Sequence, residues 1–137
     1  VRKLKLSQDG QSLEGEDLMI AIEDSHKRQF DKISRKNSSN QMSLKAAFHL
    51  HPDVAVRIDQ ESNLTSLALK NGEVWIFNYS LDLHLHLEPT IFFENGLFEP
   101  LESKKLILSA DLLDYGPRIK WSLARAIDND LSVGDLF

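Results

Sequence analysis

The chain has 137 residues, 42% of them apolar, with 16 basic and 21 acidic side chains and a formal charge of -5. That length suits one domain with its own core, and the absence of cysteine excludes disulfides and thiolate metal sites. The negative balance argues against a nucleic-acid partner, which requires Lys and Arg clustered against phosphate. No apolar run approaches the roughly 20 residues of a membrane-spanning helix.

Taken in chain order, the pattern is β nearly throughout. The chain opens on Val1 and enters strand-like sequence almost at once, as a piece of a longer protein would. Leu4 and Leu6 alternate with Lys3 and Lys5, a short half-exposed strand, and Asp9-Gly10 signals a turn. LEGED (13–17) reads as a turn in which Glu14, Glu16 and Asp17 accept local backbone hydrogen bonds, ahead of a strand-like LMIAI (18–22). Residues 23–41 are polar and read as a long flexible surface loop, whose basic cluster is best explained as solvation.

MSLKAAFHLH (42–51) alternates, with Leu44, Ala46, Phe48 and Leu50 on one face and Lys45, Ala47, His49 and His51 on the other. VAVRI (54–58) is a further short strand after Pro52. LTSLALK-NG-EVWIFNY predicts a hairpin with a two-residue type I′ loop at Asn71-Gly72. That loop pairs Leu69 with Val74 and Ala68 with Trp75. One face then carries Leu67, Leu69, Val74 and Ile76, and the other Trp75, Phe77 and Tyr79. Both faces need cover, and burial of the aromatic one against a second sheet or domain is favoured over stacking on sugar rings.

LDLHLHLEP places Leu81, Leu83, Leu85 and Leu87 inward and Asp82, His84, His86 and Glu88 outward. TIFFENG is read as a separate strand, and KKLILS (104–109) and RIKWSLAR (118–125) as two more, with Ile119, Trp121 and Leu123 sharing a face. The sum is an all-β, antiparallel β-sandwich of about eight to ten short strands with one long polar loop. Its expected limits are 1–125, with 126–137 as a C-terminal tail.

Four of the five histidines fall into two His-x-His pairs, His49/His51 and His84/His86. On a strand each pair points both imidazoles to one side, about 6.5–7 Å apart along the backbone. Such a pair can line a wetted face, touch a substrate or partner, or supply two of the three or four ligands that zinc needs. Taken singly, each pair favours the first reading. There is no Gly-rich phosphate loop, HExxH or G-x-S-x-G elbow. Tyr79 and Tyr115 have no activating partner visible in sequence. Trp75 joins the four histidines as a possible cleft contact, and the catalytic residues stay unassigned.

The order of RKLKLSQDGQSLEGEDLM, AAFHLHPDVAV, NGEVWIF, LEPTIFF, KKLILS and IKWSLAR resembles the carboxy-terminal β-sheet portion of the heparinase II/III-like family, over residues 2–125. LEGED and FHLHPDV are its most specific pieces. The resemblance implies a polysaccharide lyase with an N-terminal α/α toroid in the same polypeptide and the cleft between toroid and sandwich. It implies β-elimination at a uronic acid: a base removes the proton at C5, and an acid, commonly tyrosine, protonates the leaving oxygen. The family's toroid residues have no counterpart here, and FHLHP does not match its His-x-Asp catalytic region. The isolated chain is therefore expected to be inactive and to carry no cofactor, with zinc left to the full-length enzyme. A periplasmic or cell-envelope location follows from the family. The competing expectation is a non-catalytic carbohydrate-binding or protein-interaction module.

Overall fold

The computed structural model describes residues 1–19, 28, 32, 43–96, 98–111 and 118–126. Nine strands are found among them: β1 (Arg2–Leu6), β2 (Ser12–Leu18), β3 (Ser43–His49), β4 (Ala55–Asp59), β5 (Leu64–Ala68), β6 (Val74–Tyr79), β7 (His84–Phe92), β8 (Leu101–Asp111) and β9 (Arg118–Arg125). They form a six-stranded sheet, β1-β2-β9-β6-β5-β4, and a three-stranded sheet, β3-β8-β7. Every pairing is antiparallel. No helix of the described residues is long and apolar enough to cross a membrane. Of the polar stretch 23–41, only Arg28 and Lys32 are described, both helical in backbone and exposed. The remainder of that stretch, most of LMIAI and all but Ala126 of the expected tail lie outside the described residues.

The sheets pack face to face because each contributes one apolar side. From the three-stranded sheet come Ala46, Leu106, Leu108 and Ala110; from the six-stranded sheet come Leu67, Phe77, Ile119 and Trp121. Leu108 and Ile119 are fully buried. Phe48 of β3 bridges the two layers, edge-on to Phe77 at 5.3 Å and to Trp121 at 4.9 Å between ring centroids. Such edge-to-face contacts add stability beyond the area they bury.

LEGED is not a turn. It is the body of β2, with Gly15 opposite Trp121 on β9 and Leu4 on β1. A Cβ on Gly15 would lie 2.1 Å from the Trp121 ring, so the indole occupies the space a side chain would need. The carboxylates divide accordingly. Glu14 and Glu16 face outward, while Asp17 accepts hydrogen bonds from Arg2 Nε at 2.6 Å and from Trp121 Nε1 at 3.2 Å. Arg2 also lies over the Phe48 ring, 5.2 Å from its centroid. This ties the edge strand β1 to the core although its own leucines, Leu4 and Leu6, are exposed.

The β5–β6 hairpin is shifted by one residue from its expected register. Ala68 pairs with Val74 and Leu67 with Trp75. Leu69 N donates to Glu73 O and Gly72 N to Leu69 O, which closes a three-residue loop, Lys70-Asn71-Gly72. Gly72 has φ 89°, whereas Asn63 is the only non-glycine with positive φ among the described residues. This is a turn followed by a left-handed glycine, the other common solution for an Asn-Gly hairpin. Asn71 Oδ1 accepts from Glu73 N at 3.0 Å and steadies it. The shift moves Leu67 onto the aromatic face, where Leu67, Phe77 and Thr65 are buried and Trp75 and Tyr79 pack against the core. The aromatic face is thus covered by the second sheet.

Two further expectations change at β7. LDLHLHLEP and TIFFENG form one strand that runs through Pro89. β7 is an edge strand, so the missing proline N–H leaves no ladder bond unmade. Leu81 is not inward: it sits in the preceding turn, 86% exposed.

Candidate functional site on the outer face of the three-stranded sheet

The alternation that buries Phe48, Leu106 and Leu87 turns their neighbours outward. Because β3 and β7 both pair with β8, the two His-x-His pairs arrive on one surface from opposite edges. The registers give three cross-strand rows: Lys45, Ser109 and His84; Ala47, Ile107 and His86; His49, Lys105 and Glu88. All four histidines are exposed.

Glu88 is the hub. Its Oε1 lies 2.9 Å from His86 Nε2 and its Oε2 lies 3.5 Å from Lys105 Nζ. The His86 hydrogen bond, with smaller contributions from Lys105, holds the Glu88 carboxyl below the usual carboxylate range. From the far edge His49 reaches across the sheet, its Nδ1 3.5 Å from Thr90 Oγ1, the outer limit of a hydrogen bond.

His51 lies just beyond the end of β3. Its carbonyl accepts from Val54 N at 3.0 Å, closing the turn through Pro52. Its ring packs edge-on to Phe92 at 4.8 Å. Nδ1 accepts from the Asp53 backbone N–H at 3.1 Å, which puts the proton of the neutral ring on Nε2, facing away from the turn. The Asp53 carboxylate lies 3.7 Å from the same nitrogen and is shared with Lys70 at 3.8 Å. Ser103 donates to the Leu50 carbonyl and fixes this end of the surface to β8.

The structure therefore unites His49, His51, His84 and His86 and separates them from Trp75. Trp75 belongs to the inner side of the other sheet, half-buried, with Nε1 donating to Glu73 Oε2 at 3.1 Å. Among the described residues no three His, Asp or Glu side chains converge to hold a metal. With Glu88 engaged by His86 and Lys105, the described donors on this face do not form a zinc shell. Nor does it include a tyrosine among the described residues; Tyr79 packs near Phe77, at 6.2 Å between ring centroids. Lys45, Lys105, Thr90 and Phe92 were not singled out from sequence. Their alternation was readable, but only the strand order shows which histidines they meet.

Two hollows complete the surface. One of about 900 Å³ follows the open side of the sandwich, between the free edges of β4 and β7, and is lined by Val54, Val56, Leu87, Ile91 and Lys104 among others. The other, about 470 Å³, lies over the outer side of the six-stranded sheet beside Lys3, Lys5, Glu14, Glu16 and Lys120.

The family model described as heparinase II/III-like, C-terminal, covers residues 1–122, reaching from β1 into β9 and so including both sheets. No curated protein and no solved structure matches the chain.

Proposed function

The chain belongs to the heparinase II/III-like C-terminal family, and from that premise we propose that it is the β-sandwich part of a polysaccharide lyase. In this reading the complete protein cleaves a uronate-containing polymer by β-elimination, and the chain alone is inactive. The family match across both sheets carries the proposal. An α/α toroid in the same polypeptide supplies the base and the tyrosine acid, and any zinc of the complete enzyme lies outside this chain. The periplasm or cell envelope is where such a polymer would be met.

The surface chemistry supports a contact role rather than a catalytic one. General acid-base elimination needs a base and an acid on either side of one sugar linkage. The exposed imidazoles stand beside Glu88, Lys105 and Thr90, groups suited to holding carboxylates and hydroxyls. Among the described residues nothing on this face supplies the tyrosine that the family uses as acid, and Tyr115 lies outside them.

The experiment compares this chain with the complete gene product on heparan, chondroitin, hyaluronan and alginate, following the ultraviolet absorbance of the unsaturated uronate product. Absorbance should rise only with the complete protein. Product formed by this chain alone would overturn its reading as a non-catalytic part. A complete protein that binds these polymers without cleaving them would favour a carbohydrate-binding module instead.

A further inference from the structure

We infer that the outer face of the three-stranded sheet is an acid-switched binding surface for a linear carboxylated polysaccharide, with His49, His51, His84 and His86 as the switch. The choice of a sugar polymer rests on the lyase reading above; the acid dependence does not.

The argument begins with the charges on and around the face. Among the described residues its fixed cations are Lys45 and Lys105, with Lys70 at the His51 end. Its anions are Glu88 and Asp111 on the sheet, Asp53 in the turn after β3 and Asp82 in the turn before β7. With neutral imidazoles, three cations meet four carboxylates among the described residues, and these charges repel an anionic polymer. With four imidazolium groups, seven cations meet the same four carboxylates and the sign reverses. Imidazoles change charge between about pH 5 and 8, a range in which uronate carboxylates stay ionised.

Geometry lets the four act together. Neighbouring strands lie about 4.8 Å apart and alternate residues about 6.8 Å apart along a strand, so charges in adjacent rows lie within about one Debye length. All four rings are exposed; a proton added to His51 Nδ1 gives up the bond from the Asp53 backbone N–H but faces the Asp53 carboxylate, 3.7 Å away. The four rings lie along the two edges of the face, on either side of Ile107, which is itself only 5% exposed; a row of that length suits an extended chain rather than a small molecule needing an enclosing pocket. Thr90 and Ser109 add hydroxyls on the same face. Glu88 partly offsets the switch, because it already engages His86 and Lys105.

The test measures binding of the full chain to polygalacturonate, which carries one carboxylate per sugar, by calorimetry at low salt. Affinity should rise about tenfold or more between about pH 7.5 and about pH 5.5, and the gain should fall steeply with added salt. The neutral polymer dextran should not bind at either pH. His84→Gln/His86→Gln and His49→Gln/His51→Gln should each lose much of the gain, with unchanged thermal melts showing that both still fold. Glu88→Gln should strengthen binding at the higher pH. An affinity independent of pH, or a gain intact in both double variants, would overturn the inference. Duplex DNA bound as tightly at low pH would overturn the assignment of a sugar polymer. Loss of the lyase reading would appear separately, as a complete protein that forms no unsaturated product.

Discussion

The two outer faces of this sandwich are built by the same alternation and carry opposite kinds of charge. On the six-stranded sheet, Lys3, Glu16 and Lys120 stand in one cross-strand row and Lys5, Glu14 and Ser122 in the next. Arg118 adds a cation 3.3 Å from Glu16. Those charges are permanent near neutral pH and neutralise one another across the strands, the arrangement that stabilises antiparallel pairs. The outer face of the three-stranded sheet holds Lys45, Lys105, Glu88 and Asp111 as well, but adds exposed imidazoles, whose ion-pair partners among the described residues are Glu88 and Asp53. One face is finished within the fold. The other is left to respond to its surroundings, which makes it the better place to look for a ligand.

The largest effect should come from breaking the finished face from beneath. Gly15→Ala puts a methyl into the Trp121 ring, with β1 on one side and β9 on the other preventing β2 from moving away. It should cost about 3 kcal/mol or more, as overpacking a tight core does, and chemical denaturation would show a clearly lower midpoint. A midpoint equal to the parent's would mean that the indole is not seated over Gly15.

Gly72→Val should cost less, about 1–3 kcal/mol, because it strains a left-handed residue in an open loop where an added Cβ meets nothing. Gly72→Asn, which tolerates that backbone region, should recover most of the loss. Equal stability of the Val and Asn variants would refute the three-residue loop.

Paired carboxylate variants then sharpen the comparison directly. Glu16 Oε1 is shielded from solvent without a hydrogen bond, and Arg118 is the charge set against it. Glu16→Gln should cost about 1 kcal/mol by leaving that network incomplete. Glu88→Gln on the other face should leave stability at neutral pH little changed, as solvent-facing positions do. Thermal melts that ranked the two the other way round would remove the distinction between a finished and an open face.

The smallest effect is the acid limb of stability. Glu88 is held below the ordinary carboxylate range first by His86, Asp59 by Ser62 and Asp9 by Ser7. A carboxyl whose folded pKa is depressed contributes stability above its unfolded value, and that contribution fades as pH falls through the folded one. This part of the stability should therefore begin to decline as pH falls into the ordinary carboxylate range and go on falling below it. Asp9→Asn, Asp59→Asn and Glu88→Gln should each flatten that decline slightly in melts taken across acidic pH. A steepened decline would contradict the direction of these shifts.

Period-two alternation is a local property, and it made the strands legible. It placed Leu44, Ala46, Phe48 and Leu50 opposite Lys45, Ala47, His49 and His51, and it put Ile119, Trp121 and Leu123 on one side, as found. The family was legible too, through LEGED and FHLHPDV in their order. Positions set by distant partners were not. Gly15 looks like a turn until Trp121, more than a hundred residues away, is seen to fill its space. Asn-Gly suits two hairpin loops that differ by one residue in register. Burial of Leu67 beside Trp75 and Phe77 accompanies the loop that formed. Each His-x-His pair was visible alone. That both lie on one surface depends on β8 pairing with β3 on one edge and β7 on the other, a pairing made by the burial of Leu106 and Leu108 between the sheets and by no signal local to either pair.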